Sequence, residues 1–146
     1  MREIKFRAWD EINGLMMSGA DLEECEFDTR LSYGNLVVAY TDANGDFQQC
    51  LPMQFTGIQD RNGREIYEGD VVRWVAQKDS GLLVDTEMNG KLAKVVFYQH
   101  NAQFCFQFNN TMYYDNGGHT IQYRDRCEII GNIYENPELL AEKATQ

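Results

Sequence analysis

The sequence predicts a mainly β, hairpin-rich domain that ends in a short helix, and three observations carry that expectation. Asn-Gly, the pair that supplies the two positive φ angles of a type I′ hairpin turn, occurs five times: Asn13-Gly14, Asn44-Gly45, Asn62-Gly63, Asn89-Gly90 and Asn116-Gly117. Short stretches rich in β-branched or aromatic residues flank most of these pairs. The one segment with helix-start chemistry comes last, where Asn136 can cap, Pro137 suits the first helical position and Glu138 favours the positive end of the dipole.

Taken in chain order, Ile4 to Trp9 leads into the first Asn-Gly pair and reads as the opening strand. Residues 19 to 35 are acidic and lack a clear period, so no element is assigned there. Leu36 to Tyr40 precedes the second pair as a strand, and Leu92 to Tyr98 follows the fourth. From Val71 to Val75, Val71, Arg73 and Val75 alternate with Val72, Trp74 and Ala76, which describes a strand with one polar opening. Residues 77 to 90 mix Lys78, Asp79, Gly81, Asp85 and Glu87 with Leu82, Leu83 and Val84, and read as a long hairpin loop.

Alternation is clearest where Ala102, Phe104, Phe106 and Phe108 share one face and Gln103, Cys105 and Gln107 the other, so the phenylalanines are placed in a core. Thr120 to Tyr123 and Arg126 to Tyr134 read as the last two strands. Gly131 breaks the second, where a bulge or tight bend is expected of the kind at which barrels turn. The helix takes residues 137 to 144, and because isolated helices shorter than about 12 residues are marginal in water it needs Leu139 and Leu140 as docking points.

Composition bounds the rest. The chain has 146 residues, 43% of them hydrophobic, which is enough for a single domain over residues 1–146, and no linker or low-complexity tract marks an internal boundary. A chain of this size hides roughly 68 to 70% of its unfolded surface and needs no disulfide or metal to fold. No apolar run approaches the roughly 18 to 20 residues of a membrane span, and Met1-Arg2-Glu3-Ile4-Lys5 does not open a signal peptide, so neither membrane insertion nor secretion is expected. Cys25, Cys50, Cys105 and Cys127 are isolated from one another, as small buried hydrophobes are in a reducing cytoplasm.

The same spacing speaks against a zinc site, which takes Cys or His in short pairs. Asp42-Ala43-Asn44-Gly45-Asp46 resembles half a calcium loop, but Phe47 and Met53 occupy the positions that require glycine and glutamate, so it reads as a turn. A hydrolytic nucleophile needs a partner base, and His100 and His119 are the only histidines. Cys105 lies near His100 in sequence, yet its aromatic strand makes it a buried, inert thiol. No catalytic, cofactor-binding or metal-binding residue is assigned, and no cofactor is expected.

Asp21, Glu23, Glu24, Glu26 and Asp28 put five carboxylates into eight residues without a compensating cation. The plain reading is a solvated surface loop. The sharper reading is a docking surface for a basic protein, with a weak divalent-ion site as a further alternative. Base stacking on Phe104, Phe106 and Tyr114 would suit a nucleic-acid-binding barrel. The formal charge of -10 argues against it, and Arg61, Arg64 and Arg73 lie among Asp60, Glu65, Glu68 and Asp70.

Residues 53 to 72, MQFTGIQDRNGREIYEGDVV, resemble the YopX family of phage and prophage proteins. Lys5-Phe6-Arg7-Ala8-Trp9-Asp10 and residues 130 to 139, IGNIYENPEL, extend the resemblance over nearly the whole chain, while residues 19–50 and 77–125 carry no family pattern. The resemblance implies a mainly β protein with a small SH3-like barrel core, encoded by a bacteriophage or prophage and acting in the host cytoplasm. It implies no activity and carries over no site residue. Asp60, Asn62 and Gly63 read as a turn, and Gly57 and Gly69 as backbone bends.

The functional expectation is a non-enzymatic accessory protein that works through contacts with an unidentified host or phage protein; the alternative is a nucleic-acid-binding barrel. Strand edges must be paired or covered, and 12% of the residues are aromatic, so self-association through an edge or aromatic face away from residues 21–28 is also expected.

Overall fold

The computed structural model describes residues 3–24, 27–77, 81, 88–98, 102–108, 111–112 and 125–141. The chain forms two compact units, Met1–Phe55 and Thr56–Gln146.

The first unit holds strands β1 (Phe6–Asp10), β2 (Leu15–Met17), β3 (Asp28–Ser32) and β4 (Asn35–Thr41), the helix α1 (Gly19–Glu24), and the first part of β5 (Phe47–Gln59). The antiparallel order is β2-β1-β5-β4-β3. Ala8, Met17, Val38 and Cys50 are buried together on one face, with Leu22 of α1 packed against them. Helix α1 falls in the stretch whose sequence shows no period. Its start is fixed by a reciprocal cap: the Asp21 carboxylate accepts from Ser18 N at 2.8 Å and from Ser18 Oγ at 2.9 Å, and Asp21 N donates to Ser18 Oγ at 3.2 Å.

In the second unit, β6 (Glu65–Tyr67) pairs with β5, and β7 (Asp70–Trp74), β8 (Leu92–Tyr98), β9 (Gln103–Phe108), β10 (Thr111–Met112) and β11 (Cys127–Asn132) form an antiparallel sheet ordered β10-β9-β8-β7-β11. Phe104, Phe106 and Phe108 are buried and Gln103, Cys105 and Gln107 half-buried, as expected, whereas Ala102, expected on the phenylalanine face, is exposed and precedes the strand with a φ of 53°. Phe106 joins Ile66, Val72, Trp74, Val95, Cys127 and Ile129 in one core. Among the described residues no pairing joins β10 to β11, so both sheets are open and the pairings do not close the expected barrel.

The bulge expected at Gly131 is present as a register shift between Ile129 and Gly131 against β7. After it, α2 (Glu138–Ala141) rests on half-buried Leu139 and Leu140, and residues 142–144 of the expected helix lie outside the described residues. Asn136 does not cap it through its side chain. Its Oδ1 accepts from Asn132 N instead, while its carbonyl accepts from Leu139 N.

Turn chemistry departs from expectation in one respect. The four described Asn-Gly pairs do lie at connections between strands, but their glycines alone have positive φ, from 64° to 85°, whereas the asparagines do not. Asp42-Ala43-Asn44-Gly45 and Asp60-Arg61-Asn62-Gly63 share one solution. In each, the Asp Oδ1 accepts from the N–H groups two and four positions on, and the glycine N–H donates back to the Asp carbonyl. A left-handed glycine after such a turn makes a bulged hairpin in place of type I′. The I′ geometry belongs to Tyr33-Gly34, with φ of 51° and 81° between β3 and β4.

Candidate functional site

Within and beside the two stretches that carried the resemblance, residues 53 to 72 and 130 to 139, polar groups are held by hydrogen bonds. Asp60, 6% exposed, uses Oδ1 on its own turn and Oδ2 on Ile129 N of β11 at 3.0 Å. Arg61 N donates to the Cys127 carbonyl, and Arg64 Nη1 to that of Ile129. Buried Asp70 accepts from Tyr67 N. Asn132 Oδ1 accepts from Tyr134 N and Glu135 N, and its Nδ2 donates to Glu135. These polar groups are therefore occupied in closing turns onto strands, and the second oxygen of Asp60 ties the first motif to β11, the strand on which the second motif begins.

The candidate acidic residues that the structure describes have separate placements. Asp21 is used in the α1 cap, and Ser18 holds its carboxyl below the usual carboxylate range. Glu23 is exposed on α1 and Glu24 closes that helix. Asp28 opens β3 and lies 3.5 Å from Arg30. Glu26 lies outside the described residues. Among the described residues, no three Cys, His, Asp or Glu side chains converge as metal ligands, and the Asp42 carboxylate of the calcium-like sequence faces its own turn and Gln48.

The thiols are placed as hydrophobes. Burial pushes Cys127 up to about 12, and raises Cys50 and Cys105 as well, which suppresses the nucleophilic thiolate. Cys25, His100 and His119 lie outside the described residues. Phe104 and Phe106 are 7% and 1% exposed, so neither presents a face for base stacking, and Tyr114 lies outside the described residues. Of the three arginines weighed for phosphate binding, Arg64 donates to a backbone carbonyl and Arg73 pairs with Glu128 at 2.9 Å.

What sequence reading missed is a surface. Ile4, Ile12, Leu15, Leu31, Tyr33, Phe47, Leu51 and Phe97 are the large apolar side chains left exposed among the described residues, and all but Phe97 belong to the first unit. Part of this surface is built by register. Trp9 of β1 lies opposite Met16 of β2 and Leu51 of β5, and the alternation of β5 brings Phe47 to the same face, opposite the buried core. The Arg30 guanidinium lies 5.9 Å from the Phe47 ring centre. A second part is the β3–β4 hairpin. Residues 35 to 37 of β4 pair with β3, whereas the pairing of β4 with β5 begins at Val38, so the tip carrying Leu31 and Tyr33 runs beyond that ladder. Leu31 is 73% exposed and Tyr33 fully so.

No described helix is long and apolar enough to cross a membrane. No curated protein matches the chain. Among solved structures, protein EF1440 from Enterococcus faecalis is similar at a TM-score of 0.55 and 26% identity, with 96% of this chain and 99% of that chain covered. The family model described as YopX protein matches residues 5–141. The turn-and-strand framework built on Asp60, Asp70 and Asn132 lies inside that match, and the chain belongs to the YopX family.

Proposed function

We propose that this YopX-family chain is a non-enzymatic accessory protein of a phage or prophage, acting in the bacterial cytoplasm through protein contacts made by its first unit. The observation that carries this reading is the distribution of exposed apolar side chains: seven of the eight named above lie within residues 1–55. Large apolar side chains left uncovered and concentrated in one unit point to interaction sites there, whereas the same residues scattered singly over a whole surface carry no such meaning. Tyr33 adds a second argument. An aromatic residue in the left-handed region is strained by roughly 1 to 2 kcal/mol, and Asn or Gly would fit that turn better. A strained, fully exposed tyrosine at a hairpin tip suits an anchor for a partner. The carboxylates Asp21, Glu23, Glu24 and Glu26, on the chain before this hairpin, and Asp28, its first residue, lie in the same unit and would steer a basic partner toward it.

The test is affinity capture from lysogenic or infected cells, with wild type and a Leu31→Ser/Tyr33→Ser variant side by side. The reading expects a specific protein retained by the wild type and lost by the variant. Equal capture by both, or none by either, overturns it. The nucleic-acid alternative receives no support from Phe104 or Phe106, and retardation of labelled DNA or RNA that weakens steeply between low and moderate salt would revive it.

A further inference from the structure

Strand β3 is an edge. Among the described residues it pairs with β4 alone, and Asp28, Thr29, Arg30 and Leu31 are all exposed. Its free backbone groups follow from the turn. Ser32 and Asn35 bracket the two-residue turn Tyr33-Gly34, which makes them a hydrogen-bonded pair, so Arg30↔Val37 and Asp28↔Ala39 are hydrogen-bonded pairs in turn. Thr29 and Leu31 therefore direct their N–H and C=O groups outward, away from β4. An unprotected edge of this kind is a template for another strand.

Resting on the reading that the first unit makes protein contacts, we infer that the partner of this edge is β3 of a second copy of the chain, joined antiparallel about a two-fold axis at Thr29. Two constraints select that register. Outward-facing residues must oppose one another, which leaves Thr29 or Leu31 opposite Thr29 or Leu31 of the second copy. Centring on Thr29 puts Asp28 opposite Arg30 of the second copy and Arg30 opposite its Asp28, two ion pairs at positions where side chains lie close. Leu31 then opposes Phe27 of the second copy, and each exposed leucine gains an aromatic neighbour. Placing Thr29 opposite Leu31 sets the two Arg30 side chains against each other. Centring on Leu31 sets Arg30 opposite Ser32 and Asp28 opposite Gly34, so that no ion pair forms. Within one chain Asp28 and Arg30 already lie 3.5 Å apart, both more than half exposed, so this weak pair is free to exchange partners. The interface lies next to the acidic segment, since Asp28 is part of it.

The experiment is analytical ultracentrifugation of the full chain at micromolar to high-micromolar concentration. The expected wild-type mass is twice the 16.9 kDa of one chain. Asp28→Arg places four arginines at the paired positions and Arg30→Asp places four carboxylates there, so each variant alone is expected at the single-chain mass. An equimolar mixture of the two restores complementarity and is expected to form the mixed dimer. Thr29→Pro removes an outward N–H that β4 does not use, and is expected to give a folded monomer. A single-chain mass for the wild type at high-micromolar concentration overturns the inference. So does a dimer that survives in Asp28→Arg, Arg30→Asp and Thr29→Pro, or a mixture that stays monomeric. If the wild type is monomeric while Leu31 and Tyr33 still govern capture of another protein, this pairing fails and the proposed function stands.

Discussion

The carboxylate of Asp60 reaches the backbone N–H of Ile129 at 3.0 Å across 69 positions of sequence, while its other oxygen holds its own turn at Asn62 and Arg64. A single buried side chain thus fixes a hairpin and ties it to the last strand of the second unit. Asp60→Asn keeps an acceptor for the turn but turns an amide donor toward Ile129 N–H. Leaving that buried donor unmet is expected to cost about 1 to 3 kcal/mol. Urea unfolding of wild type and variant measures it, and an unchanged midpoint would show that the long-range bond carries no stability.

Phe106 is 1% exposed, within the core that also contains Trp74 and Val95. Phe106→Ala is expected to lose about 3 to 5 kcal/mol through lost burial and the cavity left behind. The same unfolding assay applies, and full stability would mean that the aromatic stripe is not core.

At Gly131 the bulge brings the backbone against the turn before α2. A Cβ added there would meet Oδ1 of Asn136 and approach Cδ1 of Leu139 to 2.9 Å. Gly131→Ala is therefore expected to destabilise by about 1 to 3 kcal/mol, the usual range for overpacking. Gly131→Ala combined with Asn136→Gly should recover part of the loss, and a failure to recover any of it would place the strain elsewhere.

Asp10 supplies a pH dependence. Burial raises its pKa, but hydrogen bonds from the Asn13 side chain and backbone, Tyr40 Oη and Ile12 N outweigh it and leave the carboxyl below the ordinary value. A carboxyl depressed by folding stabilises the native state above its unfolded pKa, and that contribution is lost as pH falls through the folded pKa. Asp10→Asn should be less stable than wild type at pH 7, with the gap narrowing as pH drops through the acid range. Chemical denaturation at a series of pH values reads it out, and a constant gap would mean that ionisation of Asp10 is not what stabilises the turn.

Local patterns were legible from sequence because their causes are local. Alternation at Phe104, Phe106 and Phe108 follows from the two-residue repeat of a strand, and Gly131 announced a break that no side-chain-bearing residue would tolerate there. The four described Asn-Gly pairs marked connections between strands, but the Asp before two of them chose the turn type, because its carboxylate satisfies two N–H groups of a bulged hairpin. Helix α1 went unseen because six residues are too few to show a helical period, although Ser18 and Asp21 had the spacing of a cap. Only tertiary structure decided that Asp60 meets Ile129 and that, among the described residues, no pairing closes either sheet and most exposed large apolar side chains lie in the first unit. Leu31 and Phe106 are both large apolar residues in alternating segments, yet one is 73% exposed and the other 1%. Sequence gives a side chain its tendency to leave water, while which residues obtain cover depends on strands paired from distant parts of the chain, and β3, at the edge of its sheet, obtains no second strand among the described residues.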